Sequence, residues 1–343
     1  MTLRGALIGC GFFARNHMQA WSGIDGVRIV AVCDTDPARA KSFAQAFGAT
    51  PYTDAALMLA EVRPDFTDIA TTVASHRPLV ELAARHNSAV ICQKPFAETM
   101  DDGAAMVAAC DRAGIPLLVH ENFRWQSPYR ALGAALRSGV IGQPSFLRLS
   151  FRHAFDIYAN QPYLAEIEDL ALTDVGLHLF DMARFLMGDV AHVYCQTQRL
   201  NPRVAGQDAF LASLRHTSGA VSSVECSFFS HYTPDPFVQT LAVAEGPLGS
   251  IELLQGYRLR LHKDGQVTET DVEPPVPGWG EKPWHLVQDS VIAFQTHARD
   301  VILGKATPQP SGADNLLTLA VTLGAIRSAK SGETVNLDAR GAG

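Results

Sequence analysis

Residues 3–21 read Leu-Arg-Gly-Ala-Leu-Ile-Gly-Cys-Gly-Phe-Phe-Ala-Arg-Asn-His-Met-Gln-Ala-Trp. The apolar run Ala6-Leu7-Ile8 is followed by Gly9, Gly11 and Ala14 at the spacing G-x-G-x-x-A, then by helical periodicity through His17, Met18 and Trp21. A strand that turns into a helix in this way presents backbone N–H groups, and the positive end of a helix dipole, to a pyrophosphate. Gly9 allows the tight turn, Gly11 lets the backbone approach the phosphates, and Ala14 permits close helix-to-strand packing. Phe12 and Phe13 lie in the same turn and are counted with the two glycines as cofactor contacts.

The next apolar run, Val27 to Cys33, ends at Asp34. A carboxylate about twenty residues past the turn is where a nucleotide-binding βαβ unit accepts hydrogen bonds from the adenosine ribose. It repels a 2′-phosphate, so the pair of signals points to NAD over NADP. Arg39 is close enough to blur that preference, and a solvated helix arginine is its plainer role.

From residue 1 to about 120, strand-like runs at 66–70, 89–92 and 117–119 alternate with helical segments at 36–47, 78–86 and 101–113. This is the pattern of a parallel, doubly wound α/β sheet. The strand ends carry Thr71-Thr72 with His76, and Gln93-Lys94-Pro95, so these residues, with Asn122, are expected to line the cofactor crevice. His76 has a second reading, as a cap for the next helix. Beyond Asn122 the texture changes: a helix near 128–138, a strand near 144–155, a polar and aromatic loop over 156–172, and a helix over 173–187. After about 189 the period-two alternation of antiparallel strands dominates, most cleanly at 220–226 and 257–262. Two final helices follow, one with the stripe Val287, Val291, Phe294, Ala298 and Val301, one starting at Ser311 as N-cap. The division expected is a dinucleotide-binding domain over 1–122 and a substrate-binding and oligomerisation domain over 123–343, packed with the crevice between them.

The 343 residues carry a net charge of −7, with 47% apolar and 18% charged residues, the balance of an ordinary globular protein. No basic field attracts nucleic acid or an anionic membrane, and neither is expected as a partner. No apolar stretch reaches the roughly twenty residues that span a bilayer. The first strand begins almost at once, which leaves no room for a leader, and the six cysteines form no C-x-x-C pair. They read as buried, reduced thiols rather than as metal ligands, and the expected address is cytoplasmic.

Three ionisable residues, Asp174, His178 and Asp181, share one face of the largely apolar 173–187 segment at i, i+4 and i+7. Asp174 one turn from His178 favours its protonated form and orients it. For Asp181 the plainer reading is a solvated face with Arg184 as partner. Lys94, at the end of a buried strand, is placed to hydrogen-bond a substrate hydroxyl and ease the build-up of alkoxide charge; a loop lysine in solvent is the alternative. The stretch His120 to Gln126 and the loop Phe155 to Tyr163 alternate polar and aromatic groups. They supply candidate sugar contacts in Arg124, Trp125, Asp156, Gln161 and Tyr163, with interdomain core the commoner fate of Trp125.

Together the motifs Gly9-Cys10-Gly11-Phe12-Phe13-Ala14, Gln93-Lys94-Pro95, Asp174 to Asp181 and Ser311-Gly312-Ala313-Asp314 resemble the glucose-fructose oxidoreductase, inositol dehydrogenase and MocA family over nearly the whole chain. The resemblance implies an N-terminal Rossmann domain and a C-terminal α+β domain whose large, open, mainly antiparallel sheet makes a homodimer or homotetramer. It also implies NAD as cofactor, a small sugar as substrate, no metal, His178 as general base, Lys94 as the group that polarises the hydroxyl, and Asp174 as its helper. One departure stands out: the family usually has glutamate before the lysine, and here the residue is Gln93, which removes a charge favouring protonated Lys94. The runs 91–97, 120–126 and 161–164 are similar to a branch that oxidises a branched pentose at its anomeric carbon, giving a lactone. An inositol or other aldose dehydrogenase, an NAD-dependent glycosidase and a nucleotide-sensing regulator are the other readings the family leaves open.

Overall fold

The computed structural model describes residues 2–159 and 161–337. The chain clusters into two compact units, Met1–Asn122 with Ser290–Leu316, and Phe123–Asp289 with Leu317–Gly343. Chain order assigns everything past Asn122 to one domain, whereas Ser290–Leu316 joins the N-terminal unit. Specific contacts hold it there: Asn122 Nδ2 donates to Ser290 Oγ at 2.7 Å, and Val119 N donates to Pro310 O at 3.2 Å. The Phe294 ring lies 4.4 Å from that of His120, and a Cβ on Gly312 would meet Leu117 at 2.6 Å.

In the first unit, strands β1 (Leu3–Ile8), β2 (Val27–Cys33), β3 (Thr50–Tyr52), β4 (Phe66–Ile69), β5 (Ala89–Gln93) and β6 (Leu117–His120) form a six-stranded sheet in the order β3-β2-β1-β4-β5-β6. Every pairing in it is parallel. Strands β1, β4, β5 and β6 are largely buried and mostly apolar, as a parallel sheet covered on both faces demands. Helices α1 (Ala14–Ser22), α2 (Pro37–Phe47), α3 (Ala55–Val62), α4 (His76–Arg85) and α5 (Met100–Ala113) connect them. The boundaries of α2 follow local chemistry. The Asp36 carboxylate accepts from the N–H groups of Ala38 and Arg39, Pro37 occupies the first turn, and Gly48 closes the helix at φ 67°. The edge strand β3 and the helix α3 carry too little periodicity to be read from the sequence. The order of strands reverses direction between β1 and β4, and at such a switch point the carboxyl ends of the strands leave a crevice.

In the second unit, β7 (Phe146–Arg152), β8 (Val190–Gln198), β9 (Ala209–His216), β10 (Val221–Ser227), β11 (Leu241–Gly246), β12 (Gly249–Leu254), β13 (Arg258–Lys263), β14 (Gln266–Asp271) and β15 (Val335–Asn336) make one nine-stranded sheet. Its order is β14-β13-β12-β11-β7-β10-β9-β8-β15, antiparallel except for the parallel pair β7 and β10. The fold class is thus a doubly wound parallel α/β unit and an α+β unit with a large, mainly antiparallel sheet. Helix α6 (Ser127–Arg137) precedes this sheet. The segment expected as one helix over 173–187 is instead a π-helical turn, Ala171–Gly176, running into α7 (Leu177–Met187). Gly176 belongs there for lack of room, since a Cβ would stand 3.1 Å from Ala171 O and 3.2 Å from the Phe210 ring. The closing helices are α8 (His285–Ile302) and α9 (Gly312–Ser331). All five residues of the α8 stripe are buried, and Ser311 Oγ accepts from Asp314 N at 3.0 Å as the N-cap of α9.

Candidate active site

The parallel sheet gathers most of the expected cofactor residues at the carboxyl ends of its strands. Gly9 follows β1, Asp34 follows β2, Thr71 and Thr72 follow β4, Lys94 follows β5 and Asn122 follows β6. Gly9 has φ +95°, and a Cβ would come within 2.5 Å of Ala70 O, so no other residue fits the turn. At Gly11 a Cβ would meet nothing within 4 Å, which leaves open space above the backbone. No side chain caps α1, and Phe12 beside its N-terminus is 54% exposed. The Asp34 carboxylate is held from below: Cys10 N donates to Oδ2 at 2.8 Å and Asp36 N donates to Oδ1 at 2.9 Å. Each oxygen keeps a lone pair for a ribose hydroxyl. An uncapped helix N-terminus, a clear glycine turn and a braced carboxylate suit a dinucleotide. Arg39 is largely exposed and pairs with Asp36 at 3.4 Å, a solvated helix arginine.

Three polar residues in this unit are buried. His76 is fully buried, and its two ring nitrogens face Phe96 O and Thr71 O, both at 3.2 Å. Burial depresses its basicity, so the ring is a neutral group whose single N–H donates to one of these two carbonyls, and its side chain caps no helix. Asn122 is buried with its amide committed to Ser290. Gln93 is also buried; its Oε1 accepts from Lys94 N at 2.7 Å, and its amide nitrogen lies 3.2 Å from His17 Nε2. His17 in turn reaches the buried Asp68 through Nδ1 at 2.9 Å, and Trp21 Nε1 donates to the same carboxylate oxygen at 2.8 Å. His17 and Asp68 lie 51 positions apart, and no sequence signal joins them.

In the second unit, His178 is 3% exposed and its ring stacks on Phe123 with centroids 3.9 Å apart and planes 4° from parallel. Asp174 sits half-buried in the π-helical turn, where its charge acts on His153, Tyr158 and Cys226. His153, just past β7, went unnoticed in the sequence. It is 1% exposed, ringed by Phe151, Phe228 and Phe237, and neither ring nitrogen has a hydrogen-bond partner among the described residues. Burial, against the pull of Asp235 and Asp174, brings its pKa down to about 4, so it is a neutral imidazole. Burial and the charge of Asp208 push the Tyr158 phenol up to about 12, and its hydroxyl also lacks a partner among the described residues. The signal available beforehand was His153 at the end of a strand otherwise alternating polar and apolar.

The substrate residues expected near these strands divide into two groups. Arg124 and Trp125 are buried against other side chains. The Arg124 guanidinium grips Asp181 through two nitrogens, its Nε donating to Oδ2 at 2.6 Å, and the Arg130 guanidinium covers the Trp125 ring at 4.4 Å. Asp181 is therefore no solvated partner of Arg184: it is fully buried, takes a further bond from Thr318 Oγ1 at 3.0 Å, and Arg184 pairs with Asp189. Asp156, Gln161 and Tyr163 stay on the loop surface. Asp156 Oδ1 accepts from Tyr158 N at 3.1 Å, and the Tyr163 hydroxyl donates to Gln161 Oε1 at 3.0 Å.

All six cysteines are free and buried, and burial pushes the Cys10, Cys110 and Cys195 thiols up to about 12, which makes them inert at neutral pH. Among the described residues no helix is long and apolar enough to cross a membrane.

The family profile described as an oxidoreductase family with an NAD-binding Rossmann fold matches residues 3–121, and the GFO/IDH/MocA C-terminal domain matches residues 129–253. The D-apiose dehydrogenase of Paraburkholderia graminis is 50% identical over 336 residues, covering 97% of this chain and 89% of that protein. The D-apiose dehydrogenase of Rhizobium rhizogenes is 47% identical over 338 residues, covering 98% of each. An oxidoreductase from Agrobacterium radiobacter, crystallised with NAD+, L-tartaric acid and magnesium, superposes with a TM-score of 0.96 at 47% identity over 98% of both chains. With two domain profiles spanning most of the sequence and full-length relatives at this level of identity, the chain belongs to the GFO/IDH/MocA oxidoreductases, and its N-terminal unit is their NAD-binding Rossmann fold.

Proposed function

We propose that this protein is an NAD-dependent sugar dehydrogenase that oxidises D-apiose to D-apionolactone. The observation that carries the substrate is the 50% identity to a D-apiose dehydrogenase across 97% of the chain, with Lys94, Asp174 and His178 present. In this reading residues 1–122 bind NAD, and the later part of the chain binds sugar and forms a homodimer or homotetramer through its sheet. A cytoplasmic address fits the buried, free thiols.

The bound nicotinamide supplies a hydride acceptor for the anomeric C–H. Gly9, Gly11, Phe12 and Phe13 hold the pyrophosphate, Asp34 takes the adenosine ribose hydroxyls, and Thr71 and Thr72 border the same strand ends. Asn122 holds its strand end through Ser290. Lys94 hydrogen-bonds the reacting hydroxyl and lowers the cost of negative charge on its oxygen. His178 takes the hydroxyl proton at a ring nitrogen, its ring plane set by the stack on Phe123, while Asp174 favours the imidazolium that results. One proton goes to His178, two electrons and a proton leave as hydride, and the ring carbon becomes the lactone carbonyl. Asp156, Gln161, Tyr163, Tyr158 and the neutral His153 are assigned to the remaining hydroxyls. A buried polar group that pairs only when substrate is present discriminates strongly against analogues lacking the matching hydroxyl.

The test is a panel of pentoses, hexoses and inositols with NAD and with NADP, followed at the absorbance of reduced nicotinamide. The reading expects D-apiose with NAD to give the highest kcat/KM; no reduction with any sugar sinks it. Replacement of His178 by alanine is expected to lower kcat by about 10²–10⁴-fold, the usual worth of a positioned base, with NAD affinity nearly unchanged. A large loss of NAD affinity makes the histidine structural.

A further inference from the structure

We infer that Asp68, His17 and Gln93 form a buried, hydrogen-bonded chain that positions Lys94, in which Gln93 locks His17 into one neutral tautomer; the consequence for turnover rests on the role given to Lys94 above.

The logic runs from the outer end inward. Lys94 N can only donate, and it lies 2.7 Å from the Gln93 side chain, so the atom there is the amide oxygen. The other end of that side chain is therefore NH2, which also can only donate, and it lies 3.2 Å from His17 Nε2. His17 Nε2 must offer a lone pair, and the single ring proton sits on Nδ1, directed at Asp68 Oδ2 at 2.9 Å. Trp21 Nε1 satisfies the same carboxylate at 2.8 Å. Asp68 and His17 are fully buried and Gln93 is 7% exposed, so water does not compete for these bonds.

The chain ties α1, which starts at the glycine turn, through β4 to the end of β5, where Lys94 begins. The groups facing His17 include Asp68 from β4, Gln93 from β5, Phe13 from the approach to α1, and His120 from β6, whose ring stacks on it at 4.1 Å. The Cys92 thiol on β5 is near enough to Asp68 to sense its charge. Asp68 is the carboxylate paired with His17. Gln93 thereby relays the position of Asp68 to the Lys94 backbone without adding charge.

Gln93→Glu keeps the shape and changes the logic. One carboxylate oxygen still accepts from Lys94 N, but the other now faces Nε2, an attractive contact only while Nε2 is protonated. As pH rises and His17 loses that second proton, two acceptors oppose each other and the Lys94 turn is displaced. The variant is expected to gain an alkaline loss of kcat that the native enzyme lacks, with KM for NAD within about two-fold. Gln93→Ala is expected to lower kcat by about 10–100-fold through misplacement of Lys94. Nitrogen-15 histidine spectra read the tautomer directly, with the His17 signal assigned by its loss in His17→Gln. The native protein at pH 7 is expected to show His17 carrying its single ring proton on Nδ1, and Gln93→Glu to show Nε2 protonated as well. A native imidazolium or Nε2–H tautomer overturns the chain whether or not any sugar is turned over. Superimposable pH profiles for native and Gln93→Glu enzyme, or full kcat in Gln93→Ala, overturn the positioning role. Absence of turnover in the native enzyme counts against the proposed function alone, and the spectra then decide the chain.

Discussion

Arg124 and Asp181 offer the sharpest test of where binding ends and folding begins. Sequence reasoning places Arg124 among the sugar contacts, whereas the structure buries it at 4% exposure with its guanidinium forked onto an Asp181 that is 0% exposed. Asp181→Asn keeps the shape and removes the charge, leaving a guanidinium inside the protein without its counter-ion. Breaking one side of a buried pair costs about 3–5 kcal/mol, and partial relief from Thr318 keeps the lower end the better expectation. For a unit of this size about 1 kcal/mol corresponds to roughly 2–4 °C, so the transition of the second unit should fall by about 6–20 °C. The double replacement Arg124→Met with Asp181→Leu removes both charges and should recover most of the loss, because well-packed apolar residues substitute for buried pairs at little cost. Differential scanning calorimetry of the three proteins measures this, alongside KM for the sugar in the double variant. A melting temperature unchanged in Asp181→Asn, or a double variant that melts like the native protein but has lost sugar affinity, refutes the structural assignment and returns Arg124 to the substrate.

Three other outcomes follow from the geometry. His153 has its folded pKa depressed to about 4 from an ordinary value of 6.5, so the unfolded state binds more protons between those values and stability is lost as pH falls through them, by about 3 kcal/mol at most. Urea midpoints at about pH 7 and 4.5 should lie closer together in His153→Phe than in the native protein; an unchanged gap refutes it. Asp34→Ser, which loses the ribose acceptor and the brace on Cys10 N, should raise KM for NAD about ten-fold or more while KM for NADP changes little or falls; equal effects on both cofactors rule out ribose recognition. Gly9→Ala forces a Cβ to 2.5 Å from Ala70 O at φ +95°, and should lower both the melting temperature and NAD affinity, the latter read by isothermal titration calorimetry; wild-type behaviour shows that the turn relaxes freely.

Much of the first unit is legible in the sequence because its signals are local. The glycine turn and the Asp36-Pro37 start and Gly48 stop of α2 each depend on residues within a few positions of one another, and Asp34 stands at a fixed spacing within one βαβ unit. Sequence spacing puts Asp174 and His178 four residues apart on one expected helix, but the π-helical turn over Ala171–Gly176 that precedes α7 has no local signal. His76 and Arg124 show where local signals stop. Each is a polar residue beside a strand end, and only the partners Phe96, Thr71 and Asp181 reveal that their hydrogen-bonding capacity is already spent.

The sequence by itself determined the alternation of strand and helix, the dinucleotide turn, the change to antiparallel strands beyond residue 189, and the family, because propensity, capping and motif spacing act over a few residues. Tertiary structure alone decided that Ser290–Leu316 returns to the N-terminal unit, that Asp181 is buried with Arg124, and that His17 links Asp68 to Gln93. Those pairings span from 51 positions, where His17 meets Asp68, to 168, where Asn122 meets Ser290. At such separations a side chain's partner is fixed by how the sheets and helices pack. A buried charge or amide takes its role from the group that satisfies it, which no local pattern encodes.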